Sequence, residues 1–204
     1  MGSNPTSSNP FKKMEHTHIM NAIRIHDVAT AAFLVPFSTL TLAEVFFGYV
    51  VYPMFLTHAL TFHMLYDLVW IYVQPRIITS HRNLIVLHHI VALLYLLRPL
   101  LNPIESRITS LVSLVEVDTT ILILRRLLPR STFMNNLYLV SNLFIRVYYE
   151  TFLSFLIWFL SRHDSPWARM HVLGCQLFIN MFSCGICALT FSKRISSSYK
   201  VSAS

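Results

Sequence analysis

The sequence is poor in three residue classes, and each scarcity narrows what the chain can be. Charged residues make up only 12% of its 204 residues, about half of the roughly 25% found in soluble domains. Glycine occurs four times, so close helix contacts of the GxxxG type are not the main packing device. Cysteine occurs three times, always within one apolar run near the C-terminus. This placement argues against a disulfide framework.

Long apolar runs are what the sequence has instead. Hydrophobic residues make up 54% of the chain, and the runs can be cut at proline, glycine, asparagine and charged clusters. The resulting segments are 25–47, 52–74, 83–101, 107–128, 134–160 and 169–192. Each is close to the roughly 20 helical residues that cross a hydrocarbon layer of about 30 Å. We therefore predict an all-α integral membrane protein whose six transmembrane helices form a compact bundle.

This bundle divides the chain into three parts. We predict a disordered polar tail over residues 1–20, the transmembrane domain over 21–192, and a basic, serine-rich tail over 193–204. Because no apolar segment precedes the first long run, we expect no cleavable signal peptide.

The basic residues are distributed unevenly between the two sides of the predicted bundle. With the N-terminus in the cytoplasm, the cytoplasmic set is Lys12, Lys13, Arg24, Arg76, Arg82, Arg125, Arg126, Arg130, Lys193, Arg194 and Lys200. The opposite set is Arg98, Arg107, Arg162 and Arg169. Cytoplasmic loops carry an excess of Lys and Arg, so this asymmetry predicts that both termini are cytoplasmic. The net charge of +7 therefore indicates topology, and we expect no nucleic-acid partner.

Ionisable side chains also lie inside the predicted helices, away from their ends. Such residues usually face the interior of a bundle and mark a site or a pathway. They are His63, Asp67, His88, His89, Glu116, Asp118, Arg146 and Glu150, with Asn142 beside them. Their spread over neighbouring helices predicts a polar chamber in the bundle.

The adjacent histidines of the third segment are the centre of this predicted chamber. Neighbouring residues on a helix diverge by about 100°, so one imidazole should face inward while the other reaches a neighbouring helix. A neutral imidazole can accept a proton while a carboxylate holds its other N–H, which is the arrangement that general base catalysis requires. Arg146 is the natural counter-charge for the nearby carboxylates. The predicted catalytic residues are His88, His89, Asp67, Glu116 and Asp118.

Two other interpretations of these residues stay open. Mutually satisfied pairs could fix helix register, and Arg146 with Glu150, four residues apart, is typical of such a structural pair. A metal site would need ligands from three helices, namely His63, one histidine of the adjacent pair and Glu116. No HxxxH or ExxH spacing occurs within a predicted helix, so we predict no bound metal and no cofactor.

In order and spacing these residues resemble the TLC-domain family, which includes the ceramide synthases and smaller membrane proteins of lipid homeostasis. The matching elements are Tyr66-Asp67, His88-His89, the stretch from Glu116 to Thr119, the pair Arg125-Arg126, and Arg146. His26 is similar in place to a histidine often found near the start of the family's first helix. The fourth-helix motif departs from that of the ceramide synthases and looks more like that of the smaller TLC-domain proteins.

The resemblance implies a protein of lipid metabolism whose partners are membrane lipids and a fatty acyl chain or acyl-CoA. One expectation is acyl transfer from acyl-CoA to a sphingoid or other lipid acceptor at the paired histidines. The other is non-enzymatic lipid binding, sensing or regulation in the same chamber. An ion or proton pathway is less expected, because no pair of Gly- or Pro-broken helices is visible.

Basic residues at the cytoplasmic mouth would suit a phosphate-rich headgroup. The predicted substrate-binding residues are His63, Arg146, Arg76, Arg82, Arg125 and Arg126. The resemblance favours the endoplasmic reticulum as the membrane, and the sequence leaves the oligomeric state open.

Overall fold

The computed structural model describes the backbone of residues 10–48, 52–75, 81–129 and 131–202, and the side chains of 17–48, 52, 54–75, 81–129 and 131–192. Its helices are α1 (Pro10–Phe47), α2 (Pro53–Val73), α3 (Arg82–Leu101), α4 (Ser106–Val112), α5 (Val115–Leu127), α6 (Thr132–Leu143), α7 (Glu150–Leu160) and α8 (Pro166–Ser202). A π-helix, Phe144–Tyr149, joins α6 to α7, and short 3₁₀ turns cover Pro103–Glu105 and Ser161–His163. These ranges contain no β-strand.

The first and last helices are longer than the sequence predicted. α1 begins at Pro10, and α8 continues to Ser202. Residues 10–20 and 193–202, which the sequence analysis assigned to the two tails, are therefore helical. Proline suits the first helical position, because its φ is already helical and its missing N–H would have no partner there. By contrast, α2 and α3 begin and end within one residue of the predicted segments.

The predicted fourth helix is divided into two pieces at Ser113 and Leu114. Both residues keep right-handed helical dihedral angles, with φ of −71° and −58°. The Ser113 hydroxyl donates to the Thr109 carbonyl at 2.5 Å, and the N–H of Glu116 bonds three residues back, to Ser113. A serine that bonds the preceding turn tends to bend a helix. The break makes Glu116 a first-turn residue of α5.

Compared with a soluble protein, the bundle exposes large apolar side chains and buries several charged ones. Large apolar side chains such as Phe47 and Trp167 are more than 80% exposed, whereas Asp118 and Glu150 are completely buried. Within the part of the chain that the structure describes, five stretches are long and apolar enough to cross a membrane: Thr17–Phe47, Met54–Val73, Arg82–Leu101, Thr132–His163 and Pro166–Ser192. These features are those of an all-α membrane protein, as predicted. Neither α4 nor α5 reaches that length alone, so six spans with cytoplasmic termini stay a prediction.

Two apolar clusters fill the interior. The first consists of Leu34, Phe37, Leu56, Leu60, Met64 and Leu96. The second consists of Tyr95, Leu153, Ile157, Val172, Cys175 and Ile179. Since Tyr95 and Leu96 are adjacent on α3, this helix belongs to both clusters. All three cysteines are free thiols.

The helices run antiparallel, which gives the bundle two distinct ends. Arg126 of α5 lies 3.4 Å from Asp27 of α1, while Ser38, further along α1, bonds Thr120, earlier in α5, at 2.8 Å. Arg82, at the start of α3, donates to the carbonyl of Ile71 near the end of α2. We call this side of the bundle the Arg126 end. The other side, where α3 finishes, is the Arg98 end.

Candidate functional site

A carboxylate on α2 is held between histidines from two other helices. Nε2 of His26 lies 2.6 Å from one oxygen of Asp67, and Nε2 of His89 lies 3.0 Å from the other. The three side chains are between 9% and 16% exposed. We call His26, Asp67 and His89 the His–Asp bridge. It links α1, α2 and α3 on the side of the bundle nearer the Arg126 end.

Both ring nitrogens of His89 are occupied. Nδ1 lies 2.8 Å from the carbonyl oxygen of Ile85, which can only accept a hydrogen bond. Nε2 faces the carboxyl group of Asp67. A neutral imidazole carries a single N–H, so a second proton must sit either on His89 or on Asp67. In both cases His89 has no free lone pair to offer a ligand.

His88 points away from the His–Asp bridge. Its ring lies 5.6 Å from that of His89 and nearly perpendicular to it, at 82°. It stacks on Phe182 of α8, with ring centroids 4.1 Å apart. Nδ1 of His88 is buried without a hydrogen-bond partner. The two side chains therefore diverge, as expected for adjacent residues on a helix. Both ring nitrogens of His89 have partners, whereas Nδ1 of His88 has none.

His88 lines a small space between the two apolar clusters, which we call the His88 cavity. Its volume is about 40 Å³, far below the roughly 300–1,000 Å³ of typical ligand sites. Its polar lining comes from His88, Tyr95, Ser113, Glu116 and Glu150, and the rest is apolar. Such a space admits only a few small polar groups.

A second polar group, the Asp118 cluster, lies between α5 and the α6–α7 segment. The buried carboxylate of Asp118 accepts hydrogen bonds from Ser141 at 2.6 Å, Asn142 at 3.2 Å and Nε of Arg146 at 2.5 Å. Arg146 also donates to Thr119 at 3.1 Å. All of these partners are in α5, α6 or the π-helix, so the cluster does not include the paired histidines.

The structure corrects the expected pairing of Arg146 with Glu150. Arg146 binds Asp118, whereas Glu150 accepts a hydrogen bond from Gln176 of α8 at 2.9 Å. Arg146 lies in the π-helix, which ends where Glu150 begins α7. Although they are four residues apart, the two side chains therefore have separate partners on different helices.

The Arg126 end contains the largest of the described cavities, which we call the Arg126 cavity. Its volume is about 1,040 Å³, and its polar lining includes Asn21, Arg24, Asp27, Arg125, Arg126, Ser131 and Asn135. Arg125 lies over the ring of Tyr138, 4.3 Å from its centroid. Asp27 is 3.8 Å from His26, so this cavity adjoins the His–Asp bridge.

The Arg98 end has a cavity of about 260 Å³, the Arg98 cavity. Arg98 bonds Asp164 at 2.7 Å and also bonds Glu105. Tyr95 lines both this cavity and the His88 cavity. Tyr95 is therefore shared by the two linings.

The predicted substrate-binding residues His63 and Arg82 make contacts of their own. His63 is buried, and its ring stacks on that of Phe33 with centroids 4.8 Å apart. Arg82 has one nitrogen 3.4 Å from the Ile71 carbonyl. Arg76 lies outside the described residues. The roles assigned to these and to the other site residues stay predictions.

Tyr95 was not singled out from the sequence, Glu150 was placed in the predicted polar chamber without a catalytic or binding role, and His26 was named only through the family resemblance. Tyr95 could have been found, because it follows His88 by seven residues and so shares its face of α3. The contact of His26 with Asp67 is not visible in local sequence, since the two residues are 41 apart in the chain.

Among the residues whose side chains are described, no group of three or more His, Cys, Asp or Glu is placed to hold a metal ion. Comparison of the chain with protein-family models, with curated proteins and with solved structures finds no match in any of the three. The function is therefore inferred from the geometry of the site.

Proposed function

We propose that the protein is a membrane-embedded enzyme that transfers a fatty acyl group to a lipid acceptor, with His88 as the general base. One observation supports this: the two adjacent histidines have different surroundings. His89 is fixed in the His–Asp bridge, while His88 keeps an unpartnered ring nitrogen at a cavity. A histidine that acts as a general base needs an available ring nitrogen and a side chain held in position by its surroundings. The resemblance to the TLC-domain family supports acyl transfer over other base-catalysed reactions.

The proposed reaction is transfer from a thioester such as acyl-CoA. His88 removes a proton from the amine or hydroxyl of the acceptor as that atom attacks the thioester carbonyl carbon. The carbon–sulfur bond then breaks, the departing thiolate takes up a proton from solvent, and His88 keeps the acceptor's proton until it releases it. Glu116 lines the same cavity and can orient the acceptor by accepting one of its hydrogen bonds.

The size of the His88 cavity limits how the substrates bind. A space of about 40 Å³ holds the reacting atoms but not an acyl chain. The chains of both substrates therefore lie outside it, along the apolar surfaces of the helices. In this proposal only the thioester and the acceptor group reach His88.

The Arg126 cavity supplies the charge that an acyl-CoA would need. Arg24, Arg125 and Arg126 line it together with a single acidic residue, Asp27. Guanidinium groups bind phosphate oxygens through charge-assisted hydrogen bonds. Since Asp27 adjoins His26, a phosphate-rich headgroup bound here would lie next to the His–Asp bridge.

The size of the Arg126 cavity favours a second candidate function, a lipid-binding protein without catalysis. At about 1,040 Å³ the cavity could hold a phosphorylated headgroup by itself. In that case the His–Asp bridge would serve to hold α1, α2 and α3 together. Binding would depend on the arginines and not on His88.

One pair of measurements tests the first candidate against the second. The protein, purified in lipid nanodiscs, is given a long-chain acyl-CoA and a panel of sphingoid, glycerolipid and amine acceptors, and products are identified by mass spectrometry. The enzyme proposal predicts a new acylated lipid together with free CoA. Folded protein that gives no product with any acceptor would contradict it.

Retained lipid is then measured by native mass spectrometry in two matched variants. Arg126→Gln changes the Arg126 cavity. Arg162→Gln changes an exposed arginine in the turn between α7 and α8, which does not line that cavity. The binding proposal predicts that a phosphate-bearing lipid is lost from Arg126→Gln alone. Equal retention by both variants would count against it.

A further inference from the structure

Three buried polar atoms without partners converge on the His88 cavity. They are Nδ1 of His88, the hydroxyl of Tyr95 and one carboxyl oxygen of Glu150. Each belongs to a residue that lines the cavity, and Tyr95 and Glu150 are only 3% and 0% exposed. Buried polar atoms nearly always have a hydrogen-bond partner. Three unpartnered polar atoms in the lining of one cavity indicate that a molecule inside the cavity is their hydrogen-bond partner.

Water is the partner that fits the volume. A buried water needs about 10–15 Å³ and makes about three hydrogen bonds, so a cavity of about 40 Å³ has room for a small cluster. We propose that the His88 cavity holds ordered water that transfers protons between His88 and Glu150 and, past Tyr95, to the Arg98 end. The proton-transfer part rests on the proposed function, because it requires His88 to exchange a proton. The hydration of the cavity does not.

None of these three atoms has a hydrogen-bond partner in the surrounding protein. The second carboxyl oxygen of Glu150 is bonded by Gln176, so only one oxygen faces the cavity without a partner. Ser113 lines the cavity, but its hydroxyl donates to the carbonyl of Thr109. Water can donate to Glu150 and accept from Tyr95 at the same time, which no single side chain here can do.

Tyr95 gives the water cluster a way out of the bundle. It lies seven residues after His88, about 10 Å further along α3. Its side chain lines the Arg98 cavity as well as the His88 cavity. Arg98, Glu105 and Asp164 at that end are 20–25% exposed, so they are within reach of bulk water. The proton route therefore leads away from the Arg126 end, where the charged substrate is proposed to bind.

The transfer is balanced as follows. Protonated His88 gives its proton to a cavity water, and that water releases another of its protons to the carboxylate oxygen of Glu150. His88 becomes neutral, Glu150 becomes the neutral acid, and the water is unchanged. Glu150 then returns the proton through the cluster towards Tyr95 and the Arg98 cavity.

The hydration is tested by the sign of a stability change. If the cavity is wet, Tyr95→Phe removes a hydrogen bond to water and should shift the unfolding equilibrium about twofold to tenfold towards the unfolded state. If it is dry, the substitution removes a buried hydroxyl without a partner, and stability should be unchanged or higher. Tyr149→Phe is the matched control, because its hydroxyl donates directly to the Leu111 carbonyl at 2.8 Å and its loss should destabilise. A neutral or stabilising Tyr95→Phe, with a destabilising Tyr149→Phe, overturns the proposal.

The proton route is tested by filling the cavity. Ala92 lines the His88 cavity, whereas Ala59, also half-buried against the first apolar cluster, does not. Exchange of the His88 ring proton with deuterated water is followed by NMR of ¹⁵N-histidine-labelled protein. Ala92→Val should slow this exchange by about tenfold or more, since solvent would then reach His88 only through local opening, and Ala59→Val should not. Equal rates in the two variants overturn the route, and neither test depends on acyl transfer.

Discussion

Among single residues, Asp67 is the one that two imidazoles share in the His–Asp bridge. Each of its oxygens faces a different histidine, on α1 and on α3. An asparagine would keep one oxygen but would present an amide donor to the other histidine. The His–Asp bridge therefore needs a carboxyl group and not merely a polar side chain of the same shape.

Asp67→Asn should accordingly destabilise the fold. Loss of one hydrogen bond to a charged, mostly buried group predicts a decrease of about 1.5–3 kcal/mol in the free energy of unfolding. The measurement is equilibrium unfolding in detergent or lipid. Asp164→Asn is the control, since its ion pair with Arg98 is more exposed and should contribute less. Equal losses in the two variants would show that the bridge is no stronger than an ordinary pair near the surface.

The sequence predicted part of this arrangement. Asp67 and His89 stand out as ionisable residues within apolar segments, and the divergence of His88 from His89 follows from helix geometry. Which of the two histidines is committed could not be predicted, because it depends on the relative rotation of α2 and α3. The contribution of His26 depends on how α1 packs against α2, which local sequence does not specify.

At the level of helices, one buried charged side chain lies within the π-helix Phe144–Tyr149 and another directly after it. Arg146, inside it, reaches Asp118 on α5, while Glu150, directly after it, reaches Gln176 on α8. Since Glu150 lines the His88 cavity and Arg146 binds Asp118, this segment joins the Asp118 cluster to the His88 cavity. Turns of π-helix are frequent at functional sites.

The ion pair of Arg146 with Asp118 should be strongly coupled. Arg146→Met would leave the buried carboxylate of Asp118 without its counter-charge, at a cost of about 3–5 kcal/mol. Adding Asp118→Asn to the same protein should recover much of this loss, because the uncompensated charge is gone. A double-mutant cycle of unfolding free energies measures the coupling. Strictly additive losses would mean that the two groups do not stabilise each other.

Most helices were predictable, but the two irregular segments were not. The six apolar runs mark where helices lie, because hydrophobic length is visible in the sequence. The break at Ser113 depends on a hydroxyl that bonds its own preceding turn, and serine at that position is equally compatible with a straight helix. The π-helix likewise depends on tertiary contacts of Arg146 and Glu150, which a local pattern does not show.

At the scale of the whole molecule, charge and polarity define an orientation. The Arg126 end carries the large arginine-lined cavity, and the Arg98 end carries a smaller cavity whose arginine is already paired with two carboxylates. The sequence predicts that the Arg126 end is cytoplasmic, since it contains most of the basic residues. This orientation would place the proposed acyl-CoA site on the side of the membrane where acyl-CoA is soluble.

Glycosylation tags test that orientation. An Asn-x-Ser acceptor inserted at residues 102–105 or 162–165 should be glycosylated when the protein is made in the presence of endoplasmic reticulum membranes. The same insertion at 128–131 should stay unmodified. The readout is a glycosidase-sensitive change in mass, and the reverse pattern would contradict the predicted topology.

The central claim is that His88 acts in chemistry and not only in packing. The most direct measurement is the rate of acyl transfer by His88→Ala, compared with wild type and with His58→Ala. His58 is exposed on α2, and its ring bonds only the Met54 carbonyl of its own helix. Since a positioned general base contributes about 10²–10⁴-fold, His88→Ala should lose activity by that factor while remaining folded, and His58→Ala should keep it. A folded His88→Ala protein that transfers acyl groups at the wild-type rate would contradict the account.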